Sequence, residues 1–446
     1  MNIFSKENKG ITTAKYWFWL GVVSLALAGL FAVLLVGARS PGFVNIMPYK
    51  EFFKTALIVH VNLSVFVWLT AFTASLWSLT SNHDSIMEKF YFSISCIGTA
   101  LMSISPFLDE GNPLLNNYFP ILENFYFELG LGLFALGLFL KNVSLLIFGL
   151  PKTGDVFGFG VYVSGLITMT AFAHYLFSHN IISAPEIASL YNSEDYYNRL
   201  FWAPGHILQY AYTQLIIIAW VLMAMVIGYV RVHKTGFLKA IFAVNFILVL
   251  PTFMVFNKYE ITSFEFMNYF TKHMISGGGI AAVLAFAVLV YGFFRNKTTH
   301  HPSAIPIRNN LFWSIILFGA GGIIGMMITQ ENTKVPAHYH GSIVGVSIAV
   351  MGVAFYLMPK FGYGEITGRL ANWQGGLYGF GQLLHIIGFA ISGGYGALRK
   401  TPAVMQSFEG KLAMGMMGLG GLISIIGGLV FVVIIFKSIK SRNEVI

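Results

Sequence analysis

The sequence predicts an all-α membrane protein: a bundle of about twelve transmembrane helices with both termini in the cytoplasm. Three observations carry that prediction. Hydrophobic residues make up 56% of the chain, charged residues only 10%, and the mean hydropathy is +0.71. Water-soluble domains do not have that balance. Apolar runs long enough to cross a bilayer recur along nearly the whole chain. The charges that remain alternate in sign from one connection to the next.

The runs fall near residues 15–37, 53–79, 86–106, 124–149, 157–179, 205–230, 237–257, 265–294, 309–329, 335–358, 371–397 and 412–437. The first is too long for a cleaved signal peptide and is followed by further spans, so it is expected to stay. All 446 residues are expected to form one membrane domain, with residues 1–14 and 438–446 as short cytoplasmic tails. Glycines cluster inside the runs, as in Gly277-Gly-Gly279, Gly319-Ala-Gly-Gly322 and Gly418-Leu-Gly-Gly421, which suits close helix packing in lipid. No internal repeat is evident. Cys96 is the only cysteine, which excludes an internal disulfide, a thiolate metal site and an attached heme of the Cys-x-x-Cys-His type.

Orientation follows from the connections. The N-terminal tail carries Lys6, Lys9 and Lys15, and the C-terminal tail Lys437, Lys440 and Arg442. The even-numbered connections carry Lys89, Lys152, Arg231, Lys234, Lys239, Arg295, Lys297, Arg308, Lys360 and Arg369. Most acids lie in the odd-numbered ones: Asp109, Glu110, Glu123, Glu186, Glu194, Asp195, Glu260 and Glu331. Basic loops stay inside, so even-numbered helices run from outside to inside. The net charge of +9 is then a topology signal and calls for no nucleic acid.

Histidines carry the functional signal. His338-Tyr339-His340 opens the tenth run, and side chains two apart on a helix diverge by about 200°. One segment can therefore hold two partners on opposite sides, which suggests axial ligation of two hemes; taken alone the motif equally fits two polar residues at a wet helix end. His60, His206 and His273 lie early in even-numbered helices, as His338 and His340 do, so the topology puts them all in the outer part of the membrane. His174 and His179 approach the same depth from the end of the fifth helix, while His385 falls near the middle of the eleventh. A layer of heme or metal ligands accounts for such a gathering.

At these residues the chain resembles the heme-copper oxidase superfamily, specifically the catalytic subunit I of cytochrome oxidases and the large subunit of nitric oxide reductases. The stretch from Ala337 to Phe361, AHYHGSIVGVSIAVMGVAFYLMPKF, is similar to the family's helix 10. The resemblance assigns His338 to a reactive high-spin heme and His340 to an electron-transfer low-spin heme. ALIVHVNL around His60 resembles helix 2, which supplies the other low-spin ligand. RLFWAPGHILQY, ending at Tyr210, resembles helix 6 and implies His206 as a metal ligand and Tyr210 as a proton and electron donor. GYGALRK implies Arg399 and Lys400 as partners of the heme propionates, and Arg39 is a second candidate for that role.

The chain departs from the family in two places. The usual His-His pair after helix 7 falls at Val255-Phe256, neither of which binds metal. A non-heme metal, copper or iron, is then expected on relocated ligands, His273 and His174 beside His206, with Tyr210, Gln209 or Glu265 adding oxygen. The alternative is that the second metal is absent. The helix-6 glutamate position is Leu208, and no lysine lies among residues 277–291, so the family's usual proton routes are missing. Glu128, Lys141 and Lys272 are left as candidates for other routes.

The resemblance implies a respiratory terminal oxidase of a bacterial cytoplasmic membrane. It would hold two hemes and reduce oxygen to water, with electrons from a cytochrome or a partner redox subunit. Reduction of nitric oxide is the alternative. From another class come a diheme sensor and a transporter. The last usually shows repeats and broken helices near the midplane, whereas the polar residues here gather near one face.

Overall fold

Segments this apolar must satisfy every backbone polar group internally once they leave water, and helices do so within one segment. The computed structural model describes residues 9–37, 48–49, 51–81, 83–230, 235–296, 301–397 and 407–440. Helices run in the expected order: α1 (Ile11–Gly37), α2 (Phe52–Ser81), α3 (Ile86–Leu108), α4 (Phe125–Phe148), α5 (Val156–Ile182), α6 (Trp202–Ile227), α7 (Gly236–Lys258), α8 (Phe264–Arg295), α9 (Ala304–Met326), α10 (Lys334–Lys360), α11 (Arg369–Gly394) and α12 (Phe408–Lys440). Among the described residues eleven of these are long and apolar enough to cross a membrane. The exception, α11, has 26 residues, and its apolar character is diluted by Trp373, Gln374, Gln382, His385 and seven glycines.

Polar residues set several helix starts. Asn124, Asp155 and Ser263 accept hydrogen bonds from the backbone N–H groups of Phe127, Gly158 and Phe266, which caps α4, α5 and α8. Three helices are irregular inside. The α2 backbone opens into a π-helical segment over Asn62–Val67, directly after His60. Pro251 falls in a 3-10 segment, Leu250–Met254, within α7. The Gly277-Gly-Gly279 run interrupts α8 between Gly277 and Ile280. The only strands among the described residues, β1 (Asn112–Leu114) and β2 (Ile121–Glu123), form an antiparallel hairpin between α3 and α4 with Leu114 opposite Ile121.

The Cα positions group into two compact units. The first comprises Asn2–Leu215 and Thr235–Ala281, and the second Ile216–Lys234 and Ala282–Ile446. Within the first unit α1 packs on α2, α3 on α4, and α5 on α4 and α7. Gly98 and Gly130 bring α3 and α4 together: a Cβ at Gly98 would lie 2.5 Å from the Gly130 carbonyl oxygen. The same pair of helices encloses a fully buried ion pair. Lys141 Nζ lies 2.6 Å from Glu88 Oε2, and Ser144 donates to the other carboxylate oxygen. That partnership satisfies both charges in place and removes Lys141 from the exposed polar groups.

Within the second unit α9 packs on α10, and α11 on α12, α9 and α10. Gly321 of α9 meets Gly341 of α10, where a Cβ on Gly341 would lie 2.6 Å from the Gly321 Cα. Leu317, Ile324, Ala337, Ile348 and Ile386 form a buried cluster joining α9, α10 and α11. Arg39, Arg399 and Lys400 lie outside the described residues.

Candidate histidine site

The histidines of the tenth helix sit on the α9–α10 contact. Because Gly321 and Gly341 let the two backbones approach, the His338 ring reaches across to α9. Its Nδ1 donates to the Gly321 carbonyl at 2.7 Å. Gly325 supplies the seat, since a Cβ there would lie 2.5 Å from His338 Nδ1. His340 turns toward α11 instead. Its Nδ1 donates to the Pro336 carbonyl one turn back at 2.8 Å, and its ring centroid lies 5.0 Å from that of His385 and 5.9 Å from that of Phe389. His385 in turn donates from Nδ1 to the Met417 carbonyl of α12 at 2.9 Å. The two histidines of the motif thus face different neighbours of the same unit.

His60, in the first unit, repeats this arrangement. Its Nδ1 donates to the Ala28 carbonyl of α1 at 2.8 Å, and its own carbonyl accepts from Ser64 at 2.7 Å. A carbonyl can only accept, so each of these Nδ1 atoms carries the proton and each Nε2 keeps its lone pair. Holding one ring nitrogen on a carbonyl while presenting the other is how proteins orient metal-binding imidazoles. Among the described residues nothing hydrogen-bonds Nε2 of His60 or His338. Both rings are half-buried. These side chains fit the axial-ligand role.

The helix-6 group differs. His206 is buried, with Nδ1 donating to the Trp202 carbonyl at 2.7 Å and Nε2 2.9 Å from the Tyr118 hydroxyl. Tyr118 comes from the tip of the β1–β2 hairpin. Gly205 makes room for it, since a Cβ there would lie 2.3 Å from the phenol ring. Tyr210, one turn on from His206, is fully buried, with its hydroxyl 3.1 Å from His273 Nδ1 and 3.2 Å from the His273 carbonyl. His273 Nε2 donates to the Leu248 carbonyl at 2.8 Å. His174 donates from Nδ1 to the Thr170 carbonyl at 2.8 Å, and Thr252 Oγ1 lies 2.9 Å from its Nε2. Phe253, Phe256 and Phe270 surround the His174 ring, so Phe256, at the position of the family's metal-binding pair, serves aromatic packing.

Among the described residues no three His, Cys, Asp or Glu side chains gather closely enough to hold a metal ion. His206, His273 and His174 therefore do not form the relocated three-imidazole group expected from the sequence. All six of their ring nitrogens meet protein partners, and Glu265 is exposed in the first turn of α8. This donor set does not fit a non-heme metal. Tyr210 lies near His206 along α6 but its hydroxyl is engaged by His273.

No protein-family model matches the chain. It is 32% identical to the uncharacterized protein RP382 of Rickettsia prowazekii (strain Madrid E), over 95% of each chain. The chain belongs to the RP382 family. An uncharacterized protein of Aquifex aeolicus (strain VF5) is 28% identical, over 80% of this chain and 87% of its own length. The RP382-family fold also matches the solved structure of a heme-copper terminal oxidase dimer. The TM-score is 0.68, with 99% of this chain and 83% of that chain covered, at 16% identity. The resemblance read from the histidine motifs therefore extends to the fold.

For this RP382-family chain, the sequence located His60, His206, His338 and His340 on the correct helices but missed Tyr118. That residue lies in a polar connection with no periodicity to mark it. The one available signal was Tyr118-Phe119 standing among Asn116, Asn117 and Pro120. His385 was visible but unassigned, because nothing in its own run indicates that it meets His340. The remaining proton-route candidates stay at surfaces. Lys272 is exposed, and Glu128 is exposed and accepts from the Tyr197 hydroxyl at 3.3 Å. Burial and the Glu128 carboxylate together raise the Tyr197 phenol above its usual range.

Proposed function

We propose that the protein is a heme-bearing oxidoreductase of a bacterial cytoplasmic membrane, which reduces oxygen with electrons from a cytochrome or partner redox subunit. One observation carries the reading. In a fold shared with a heme-copper terminal oxidase, half-buried His60, His338 and His340 each have Nδ1 fixed on a main-chain carbonyl. His60 and His340 are assigned as ligands of a low-spin heme iron and His338 as the ligand of a high-spin one. Arg39, Arg399 and Lys400 are assigned to the propionates.

A heme held by His60 and His340 would supply electron transfer, and one held by His338 would supply gas binding. The protein's own contribution is orientation. The Gly321 and Ala28 carbonyls hold His338 and His60 in one tautomer, so neither ring has to reorganise to bind iron. Tyr210, whose hydroxyl lies 3.1 Å from His273 Nδ1 and 3.2 Å from the His273 carbonyl, is assigned as the proton donor.

Reduced-minus-oxidised spectra of the purified protein test the assignment. His60→Ala and His340→Ala are each expected to abolish the low-spin bands. His338→Ala is expected to keep those bands and lose carbon monoxide binding. A protein without heme, or low-spin bands unchanged in both variants, would overturn the reading. Parallel oxygen and nitric oxide consumption assays separate the two substrates. A second reading, a gas-binding diheme protein without turnover, is favoured by the fully hydrogen-bonded imidazoles around Tyr210. Gas binding without consumption of either gas would select it.

A further inference from the structure

Among the histidines of the first unit not assigned to a heme are His206, His174 and His273. Their hydrogen bonds can be assigned proton by proton. The Trp202 carbonyl accepts from His206 Nδ1, so in the neutral ring Nε2 is an acceptor. The group 2.9 Å from it is the Tyr118 hydroxyl, which therefore donates. The Thr170 carbonyl likewise makes His174 Nε2 an acceptor; Thr252 Oγ1 lies 2.9 Å from it and shares its one proton between that nitrogen and the Val249 carbonyl at 2.6 Å. His273 has the opposite tautomer. The Leu248 carbonyl takes its Nε2 proton, and Nδ1 faces the Tyr210 hydroxyl. In all three rings the lone pair a metal would need is directed at a hydroxyl of the protein.

Packing supports these pairs. Tyr118 is held edge-on to Trp202, with its ring centroid 4.8 Å from that of His206 and the Gly205 position cleared for it. The hairpin that carries it is fixed nearby. Asn62 of α2 donates to the Pro120 carbonyl at 2.8 Å, and the Phe119 ring packs against Phe66 and Phe201. Tyr210 fits the break in α8, where a Cβ on Gly277 would lie 2.6 Å from its hydroxyl. His174 is walled by Phe253, Phe256 and Phe270.

We infer that this protein holds no non-heme metal at His206, His174 or His273, and that the Tyr118 hydroxyl takes the ligand position on His206. The α6 region is thereby a set of hydroxyl–imidazole pairs, Tyr118–His206, Tyr210–His273 and Thr252–His174. The two tyrosine pairs can pass a proton between phenol and imidazole, and none of the three has a metal with which to store electrons. The inference goes beyond the proposed function, since it concerns a group of side chains to which no heme is assigned. It does not depend on whether the assigned hemes bind.

Metal analysis of the full-length protein tests it. The protein is purified in lipid nanodiscs from cells grown with added copper and iron. Copper, iron, zinc and manganese are counted per chain by plasma mass spectrometry, and heme is counted separately as its pyridine complex. The expected result is no metal beyond heme iron. A stoichiometric further metal that disappears in His206→Ala, His174→Ala or His273→Ala overturns the inference. Absence of heme overturns only the proposed function, so the two failures are distinguishable. A second measurement addresses Tyr118. In protein labelled with 15N-histidine, one unprotonated ring nitrogen, identified by its loss in His206→Ala, is expected to shift toward the free-imidazole position in Tyr118→Phe. An unmoved resonance overturns the Tyr118 assignment.

Discussion

The His338 ring depends on a residue with no side chain. Gly325 lies where a Cβ would press on His338 Nδ1 at 2.5 Å, and the Gly321 carbonyl accepts from that same nitrogen. Gly325→Val is therefore expected to displace the ring while leaving the helix-10 backbone and the His340 side untouched. Carbon monoxide binding should fall by more than the roughly tenfold that loss of one outer-shell hydrogen bond produces. The low-spin spectrum should persist. Equal loss of both signals would mean that Gly325 only supports folding. Gly341 carries a related lesson. The space its missing side chain leaves is occupied by the Gly321 backbone. A sequence marks a small residue as needed without saying which neighbour needs it.

A second residue-scale test concerns the Glu88–Lys141 pair. Both charges are fully buried, and each is the other's compensation. Removing one partner alone, as in Lys141→Met, leaves an unpaired buried carboxylate and should cost about 3–5 kcal/mol. The double variant Glu88→Leu/Lys141→Met should recover most of that loss, because replacing a buried pair by apolar groups of similar volume is often neutral. Thermal unfolding in detergent, followed by circular dichroism, measures both. A double variant as unstable as the single one would show that Ser144 and the surrounding packing need the charge itself.

At the scale of elements, the runs of apolar residues revealed where helices lie but not where they bend. Twelve runs became twelve helices because hydrophobic length is a property of each segment alone. The π-helical segment after His60, the 3-10 segment around Pro251 and the hairpin carrying Tyr118 depend on neighbours, and no local periodicity encodes them. The break at Gly277-Gly-Gly279 is intermediate. Its glycines were visible as packing residues, while their use in seating Tyr210 required α6. Gly277→Ala should push the phenol away from His273 and cost about 1–3 kcal/mol through overpacking. The retained heme spectrum, read beside a lowered melting temperature, would separate this local strain from general unfolding.

For the whole molecule, the charges of the connections set which face of the bundle is expected on which side of the membrane. The loops make an electrostatic prediction: basic residues gather in both tails and the even-numbered connections, and most acids in the odd-numbered ones. That asymmetry predicts Ser193, in the short helix before α6, outside, and Ser303, before α9, inside. The native Cys96 lies on the exposed surface of α3, within the apolar span, and Cys96→Ala removes it as a background thiol. In that background Ser193→Cys should react with a membrane-impermeant maleimide in intact cells, and Ser303→Cys only after the cells are broken. The reverse pattern would invert the bundle. It would move His60, His338 and His340 to the cytoplasmic half, so that electrons would have to reach the hemes from inside the cell.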